Sequence, residues 1–517
     1  MKAVNFIFQI HQPYRLKRYR FFEIGNDHYY YDDFANDEII TRIAQRSYIP
    51  ACETLLRMIQ DTKGKFRFAI SISGDALEQC EQYVPELIDL LKKLADTGKV
   101  EFLGAPYANS LASLADQPEE FADQIKLHSE KIQALFGQTP KVFRNTELIY
   151  SDEIAPQILQ LGFKGVVTEG AKHILGWKSP DYVYSAASAP KLKLLLNNAK
   201  LADDVARRFS HPHSAPHPLP SDKDTDPIAT TPAEEQIINL CMNLETFGEL
   251  QPRETGIFQF LEALPRFAAE RGIDFWTPSE AVSKLKAVDT LAVGHPVSAV
   301  DDGRDVSAWL GNRLQNEAFD KLYSVTERVR LCSDRRLKMD WLYLQGADHF
   351  YYMSTKNFGD GAAAANFSPY GSPYEAFTNY MNVLADFIVR VEEQYPMSIE
   401  NEELNALLTT IRNQATELEK LTKENDSLRR SLEQFNVEHN LRTGAAIPAA
   451  EKKPAEEKKA EPKKPAAKKA APAKKAEPAK KPAAEKKPVA EKKPAEKKAA
   501  PKTKAEKLAK VEKDLKK

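Results

Sequence analysis

The sequence predicts an α/β fold: a closed or nearly closed (β/α) barrel followed by a helical region. Three observations predict it. Seven short apolar or alternating runs occur before residue 280, at Val4–Ile10, Phe66–Ile72, Val100–Leu103, Val142–Arg144, Gly165–Val167, Ile237–Met242 and Ile273–Phe275. Stretches such as Tyr48–Asp61, Pro85–Thr97 and Pro118–Leu135 separate the early runs, with apolar residues at spacings of three and four. Strand, helix, strand repeated in this way is the pattern of a parallel sheet, and seven repeats over this length suit a barrel. The third observation is that most runs end in polar residues.

After the first run comes His11-Gln12-Pro13, after the second Gly74-Asp75, after the fourth Thr146-Glu147 and after the fifth Thr168-Glu169. The sixth breaks into Asn243, Glu245, Thr246 and Glu249, and the seventh into Thr277-Pro278-Ser279-Glu280. In a barrel these positions share one rim, where active sites are built. A single polar residue after a strand is ordinarily a turn. Carboxylates converging from several strands point to chemistry.

Residues 198–235 are expected to form a long irregular loop over the rim. Its histidines, His211, His213 and His217, lie among prolines without carboxylate partners, which favours a solvated loop over a metal site; no metal and no cofactor is expected. Residues 310–395 are mostly helical, interrupted by a glycine- and alanine-rich loop at Phe358–Asn366. Trp341, Asp348, His349, Tyr351 and Tyr352 cluster there, and such a cluster either packs as core or closes the rim and stacks on a sugar.

From Ile399 the periodicity changes. Leu404, Leu408, Ile411, Ala415 and Leu418 alternate spacings of four and three, and after a three-residue slip Leu421, Asn425, Leu428, Leu432 and Phe435 continue the seam. This predicts a short coiled coil over 397–440, supporting a homodimer, with a single amphipathic helix as the other reading. Residues 441–517 are rich in Lys, Ala, Pro and Glu and are expected to be a disordered tail.

The formal net charge of −1 hides an asymmetry. Residues 451–517 carry 25 Lys against 11 Asp and Glu, a net of +14, which leaves −15 on residues 1–450. The tail lysines alternate with Glu and have no aromatic neighbour to stack on a base, so no specific nucleic-acid partner is expected. There is no run near 18 uncharged apolar residues, so no membrane span is expected. The start MKAVNFIFQI has no small-residue cleavage site after it, and a cytoplasmic location is expected. Cys52, Cys80, Cys241 and Cys332 are scattered without C-x-x-C spacing, which argues for buried thiols.

The ordered motifs HQP at 11–13, FRNTELIY at 143–150, LADDVARRFS at 201–210, NLETFGE and ETGIFQFLEALP within 243–265, TPSE at 277–280, then DHFYYMSTK and FSPYGSPYEAF, resemble the α-amylase-like branch of glycoside hydrolase family 57. The resemblance covers roughly residues 1–395. It implies an incomplete (β/α)7 barrel over 1–295, completed by the helical region 296–396, acting on α-glucans or maltooligosaccharides with retention. Retention uses two carboxyl groups about 5 Å apart, one as nucleophile and one as acid then base.

By motif, Glu147 in NTELIY is the implied nucleophile, and the implied acid/base is the Asp that opens D-x-E-x-F-G. Here that position is Asn243. An amide cannot protonate a departing sugar hydroxyl, and loss of a positioned general acid costs ~10²- to 10⁴-fold. Gly104-Ala105-Pro106-Tyr107-Ala108-Asn109-Ser110 also departs from the branch's GETYYHS, and Leu250 stands where the motif carries His. The resemblance further implies substrate contacts from His11, Gln12, Asp75, Asp203, Asp204, Glu245, Glu249, Trp276, Trp341, Asp348 and His349. Three readings follow: a hydrolase in which Glu245, Glu249 or Asp348 replaces the acid, a glucan-binding relative with weak or no hydrolysis, and an assembly protein working through coil and tail.

Overall fold

The computed structural model describes residues 3–210, 235–356 and 368–394, with scattered positions between 410 and 428. Its described strands are β1 (Ala3–Ile10), β2 (Phe68–Ile72), β3 (Val100–Phe102), β4 (Val142–Arg144), β5 (Gly165–Glu169), β6 (Val183–Ala186), β7 (Lys193–Asn197), β8 (Ile237–Asn243), β9 (Asp274–Phe275) and β10 (Asp289–Leu291). Seven of them close a parallel ring. β1 lies between β2 and β8, β2 pairs β3, β4 pairs β5, and β5 pairs β7. The two remaining joints are thin: β7 meets β8 at Asn197 and Asn239, and β3 meets β4 through a bridge between Gly104 and Phe143.

β1 shows why this sequence makes a barrel strand. All eight of its residues are buried. Val4, Phe6, Phe8 and Ile10 pack outward with the helices Ile49–Asp61 and Ile257–Glu270, whereas Ala3 and Ile7 belong to the inner core with Ala69, Val167 and Leu195. The period of two therefore turns Asn5 and Gln9 inward as well. Asn5 Nδ2 donates to Asn239 Oδ1 at 2.9 Å, deep in the barrel. Gln9 stands at the carboxyl end, level with Asn243 of β8.

The strand assignment differs from expectation at β6, β7 and β10, which the seven runs do not include, and at the seventh run. Ile273–Phe275 contributes only β9, a two-residue strand against the start of β1, and the seventh barrel strand is β7 instead. Its sequence KLLLN is short and opens on lysine, while β6 pairs it antiparallel and carries β10 outside the ring. Part of the expected 198–235 loop is also ordered, because Asn198 caps a helix Ala199–Ala206 by accepting from Leu201 N at 3.2 Å. His211, His213, His217 and the Phe358–Asn366 loop lie outside the described residues.

The helical region packs on the barrel within one compact unit that ends before Thr410. Its last helix, Pro373–Gln394, holds the segment that follows β1: Asp386 accepts from Gly25 N at 2.6 Å and from Tyr30 Oη at 2.6 Å, and Arg390 Nη1 donates to Asp340 Oδ2 at 2.7 Å. Nearer the rim, Ala347 N donates to Asn109 O at 3.1 Å. Most of the expected coil, and all of the tail, lie outside the described residues. The described positions of 410–428 are helical and exposed, Leu418, Leu421 and Leu428 among them.

Candidate active site

The carboxyl ends of β1, β4, β7 and β8 open into a cavity of about 340 Å³. Glu147 and Asn243 both line it, as do His11, Gln12, Asp203, Glu245 and Asp348. These seven predicted residues, spread over 338 positions of sequence, are brought together.

Glu147 follows β4 in a left-handed backbone conformation, φ 45° and ψ 35°. For a residue with a Cβ this costs about 1–3 kcal/mol, and it persists only where neighbours hold it. Here Ala299 N donates to Glu147 O at 2.8 Å. On the side chain, Gln9 Nε2 donates to Oε1 at 3.2 Å, and Arg144 Nη2 donates to the other end of the Gln9 amide at 2.5 Å. Arg144 is buried, which lowers its own proton affinity; the Glu147 charge opposes that.

Asn243 ends β8 in extended conformation, φ −70° and ψ 140°. Its amide makes no hydrogen bond among the described residues. The turn that follows presents Glu245, whose Oε1 accepts from Tyr48 Oη and from Gln12 Nε2, the latter at 3.3 Å. Gln12 is itself fixed by Arg15 Nη2 at 2.9 Å. Burial pushes the Glu245 carboxyl up to about 7, against the opposing influence of Tyr48, His11 and Gln12. Its Oε2 is buried and has no partner.

His11 bridges two parts of the chain, with Nδ1 2.7 Å from Ser73 Oγ and Nε2 2.8 Å from Asp348 Oδ2. Burial alone would raise the Asp348 carboxyl, but His11 outweighs it and holds the group below the usual carboxylate range. Asp203 lines the cavity between Arg207, 3.5 Å away, and Arg304, 3.2 Å away.

The other predicted site residues stand elsewhere. Glu249 turns away to Arg42 and Arg46, and the position beside it takes Gly248, whose φ is 110° and where an added Cβ would lie 2.1 Å from Arg46 O. Asp204 pairs with Arg208 at 2.7 Å. Asp75 is buried behind the cavity, its carboxyl pushed well up by burial, then by Glu78 and Asp348. Trp276 is at the opposite end of the barrel, since its N–H meets Val4 O at the start of β1, and Lys284 lies 4.4 Å over its ring. The TPSE segment is there too, as the capping box of the helix Pro278–Lys284. Trp341 stacks on Phe387 at 6.1 Å in the helical core, and His349 is buried against Tyr343 O, its ring lowered to about 4 by burial.

Sequence reasoning missed Gln9, Arg144, Asn197 and Arg304 as cavity residues. The available signal for the first two was a polar side chain at the last inward position of an otherwise buried strand. Among the described residues no group of three His, Cys, Asp or Glu is placed to hold a metal.

A closed parallel barrel with paired polar ends and a carboxylate-lined cavity at its carboxyl rim has the architecture of an α/β-barrel enzyme. The description "Glycosyl hydrolase family 57" matches residues 5–294, and the chain belongs to that family. A Methanocaldococcus jannaschii protein named "Putative alpha-amylase" is 37% identical over 403 residues, covering 75% of this chain and 85% of the relative. A Pyrococcus horikoshii "Alpha-amylase" is 28% identical over 196 residues, 38% of this chain, which spans only 25% of that relative. The fold is similar to the family 57-type branching enzyme of Pyrococcus horikoshii, with a TM-score of 0.53 at 14% identity, covering 78% of this chain and 93% of that one. A branching enzyme from Thermococcus kodakaraensis matches with a TM-score of 0.54 at 13% identity over the same shares. No helix of the described residues is long and apolar enough to cross a membrane.

Proposed function

We propose that this chain is an α-glucan-directed protein of the α-amylase type, with a retaining nucleophile in place and its hydrolysis reduced or lost at the acid/base. The observation that carries the reading is the pairing of Glu147 and Asn243 across one cavity, the first a carboxylate and the second an amide. Starch, glycogen and maltooligosaccharides are the substrate class, in keeping with the names of the relatives.

Retention proceeds by attack of a Glu147 oxygen on the anomeric carbon while the departing oxygen takes a proton. Asn243 has none to give. Of the three carboxyl groups considered as substitutes, Glu249 is outside the cavity and Asp348 is held ionised by His11. Glu245 lines the cavity and is half neutral at a pH of about 7, so any residual proton supply falls to it.

Two assays on the full chain test the proposal. A starch-binding measurement beside a reducing-sugar assay should show binding with slow or absent turnover. Absence of binding to starch, glycogen and maltoheptaose would remove the reading. Binding without any glycosylation of Glu147 favours the alternative, a non-catalytic glucan-binding protein, for which Asn243 is the specific support. The assembly role, with a coiled-coil dimer over 397–440, predicts instead that removal of residues 399–517 abolishes the phenotype while glucan binding stays.

A further inference from the structure

We infer that Arg144 and Gln9 are positioning residues that fix which oxygen of Glu147 attacks and offset its charge while it waits. The inference rests on the proposed retaining role of Glu147, and adds a mechanism that neither residue's motif context supplies.

The argument starts from donor and acceptor chemistry. A glutamine amide has two ends of nearly equal shape, so its orientation must be read from its partners. Arg144 can only donate. Its Nη2 lies 2.5 Å from one end of the Gln9 amide, which must therefore be the carbonyl oxygen. The other end is then the NH₂, 3.2 Å from Glu147 Oε1. Without Arg144 the amide could turn over and present its carbonyl to the carboxylate, a repulsive contact.

The consequence falls on the two oxygens of Glu147 differently. Oε1 accepts the Gln9 N–H, whereas Oε2 has no hydrogen bond among the described residues. A donor on one oxygen withdraws electron density there and pins the carboxylate plane. The free oxygen is left as the nucleophile. The backbone is pinned as well, through the left-handed φ of 45° and the Ala299 N–H on Glu147 O.

Charge completes the arrangement. Arg144 is only 5% exposed, and a buried guanidinium is tolerated where an opposite charge or good acceptors compensate it. Its Nη1 reaches Asn145 O at 3.4 Å, its Nε has no partner, and the Glu147 charge acts on it from across the Gln9 amide. Arg144 and Glu147 thus form an ion pair separated by one amide. The spacing sets a positive charge behind the carboxylate without capping both of its oxygens, as a bidentate Arg contact would. All three residues line the cavity.

The same cavity also carries the charged or titratable side chains of His11, Asp203, Arg207, Glu245, Arg304 and Asp348. Cys241 on β8 is near Arg144, its thiol pushed up to about 12 by burial. Tyr351 of the helical region is close enough to feel Glu147, and its phenol is pushed up, first by burial. Neither is an acid or base near neutral pH. Glu169, itself raised to about 7 by burial, raises the Cys241 thiol further.

The test uses the full chain and an α-glucosyl fluoride with a second fluorine on the ring, which glycosylates the nucleophile without needing an acid and leaves a long-lived adduct. The step forms the Glu147 Oε2–C1 bond and releases fluoride, so it reads the nucleophile alone. Intact mass gives the labelling rate, and a maltooligosaccharide titration gives binding. The wild type should label at Glu147. Arg144→Met should label at least tenfold more slowly, with maltooligosaccharide affinity changed less than twofold and the acidic limb of the labelling pH profile moved to higher pH. Gln9→Leu should slow labelling to a similar degree but leave that limb where it was, because the lost group is neutral. Arg144→Lys should restore the limb and only part of the rate.

Equal labelling rates in the wild type, Arg144→Met and Gln9→Leu would overturn the inference while leaving Glu147 as the nucleophile. A limb that moves equally in Gln9→Leu and Arg144→Met would also overturn it, by showing a general disturbance of the barrel. If the wild type binds glucan and is never labelled, the catalytic part of the proposed function fails first, and the inference with it. Should Arg144→Met fail to fold, the smaller Gln9→Leu change carries the decision through its rate.

Discussion

Replacing Asn243 with Asp restores the carboxyl group that the family resemblance places there, and the structure lets its effect be bounded. The substitution exchanges NH₂ for oxygen at nearly constant volume. Its backbone, φ −70° and ψ 140°, is ordinary extended chain, and the amide has no hydrogen bond among the described residues to lose. The new carboxyl would lie in the cavity that already holds Glu147 and Glu245. Partial burial and a like charge both raise its proton affinity, which is what a general acid near neutral pH requires. A positioned acid is worth ~10²- to 10⁴-fold, about 3 to 5.5 kcal/mol of barrier. The gain should fall toward the lower end, because Leu250 and Asn109 also line the cavity and also depart from the motif. The assays are reducing-sugar release from maltoheptaose by Asn243→Asp and the wild type, and fluoride release from an α-glucosyl fluoride with and without azide. Azide should accelerate wild-type breakdown of the glycosyl-enzyme on a substrate with a fluoride leaving group, and should matter less for Asn243→Asp. Robust wild-type hydrolysis of maltoheptaose that Glu147→Gln abolishes would refute the reasoning.

Glu245→Gln tests the buried acid through stability. The folded carboxyl holds its proton up to about 7, whereas the unfolded one releases it near the ordinary value of 4.5. Its contribution is therefore present below about 4.5 and lost as pH rises through about 7, a change of about 3 kcal/mol. Gln stays neutral, so urea midpoints should show the variant gaining on the wild type by roughly that amount between pH 4.5 and pH 8; a constant difference would mean Glu245 ionises freely. Asp348→Asn leaves His11 without its 2.8 Å partner and should cost about 3 kcal/mol at pH 7, since breaking a buried pair is expensive. Because the Asp348 carboxyl is held low, that cost should shrink as pH falls below the ordinary carboxylate value, and an undiminished cost at pH 3 would contradict the pairing. For the expected coil, sedimentation of the full chain against a chain ending at Pro396 should show a weak dimer only for the former, and equal monomeric masses would remove it.

The sequence made the barrel legible where apolar runs were long and separated by amphipathic helices. β1, β2 and β8 were bracketed to within two residues at each end, and the sheet they form is the one the polar strand ends implied. It failed where burial comes from context. KLLLN is a barrel strand because β5 and β8 flank it, and nothing local distinguishes it from the antiparallel β6 beside it. Ile273–Phe275 is apolar enough to resemble a barrel strand, yet only two residues pair, at the amino end of β1. That displacement carried Trp276 to the wrong rim. Trp341 illustrates the other limit, since an aromatic in a polar motif can stack on a sugar or on Phe387, and only packing decides. Gln9 and Arg144 went unread because each was counted as part of a strand, although a glutamine among NFIFQI has to satisfy its amide somewhere.

The two halves of the cavity are built differently, and the difference bears on what the protein can do. On the Glu147 side the backbone is held in a costly conformation, a guanidinium is buried, and an amide is locked between charge and countercharge. The left-handed backbone costs stability outright, and the buried guanidinium costs it unless an opposite charge or good acceptors compensate it. On the Asn243 side the group is neutral, unstrained and unbonded among the described residues, and Glu245, two residues on, is tied to Tyr48 and Gln12. On the proposed reading, a site of this kind is prepared to form a covalent bond to an anomeric carbon and unprepared to protonate what leaves. On the same reading, the reactions open to it are therefore ordered by the leaving group. Donors whose leaving group departs as a stable anion lie within reach of Glu147 alone, and unactivated glucans are bound and turned over only as fast as Glu245 can supply a proton.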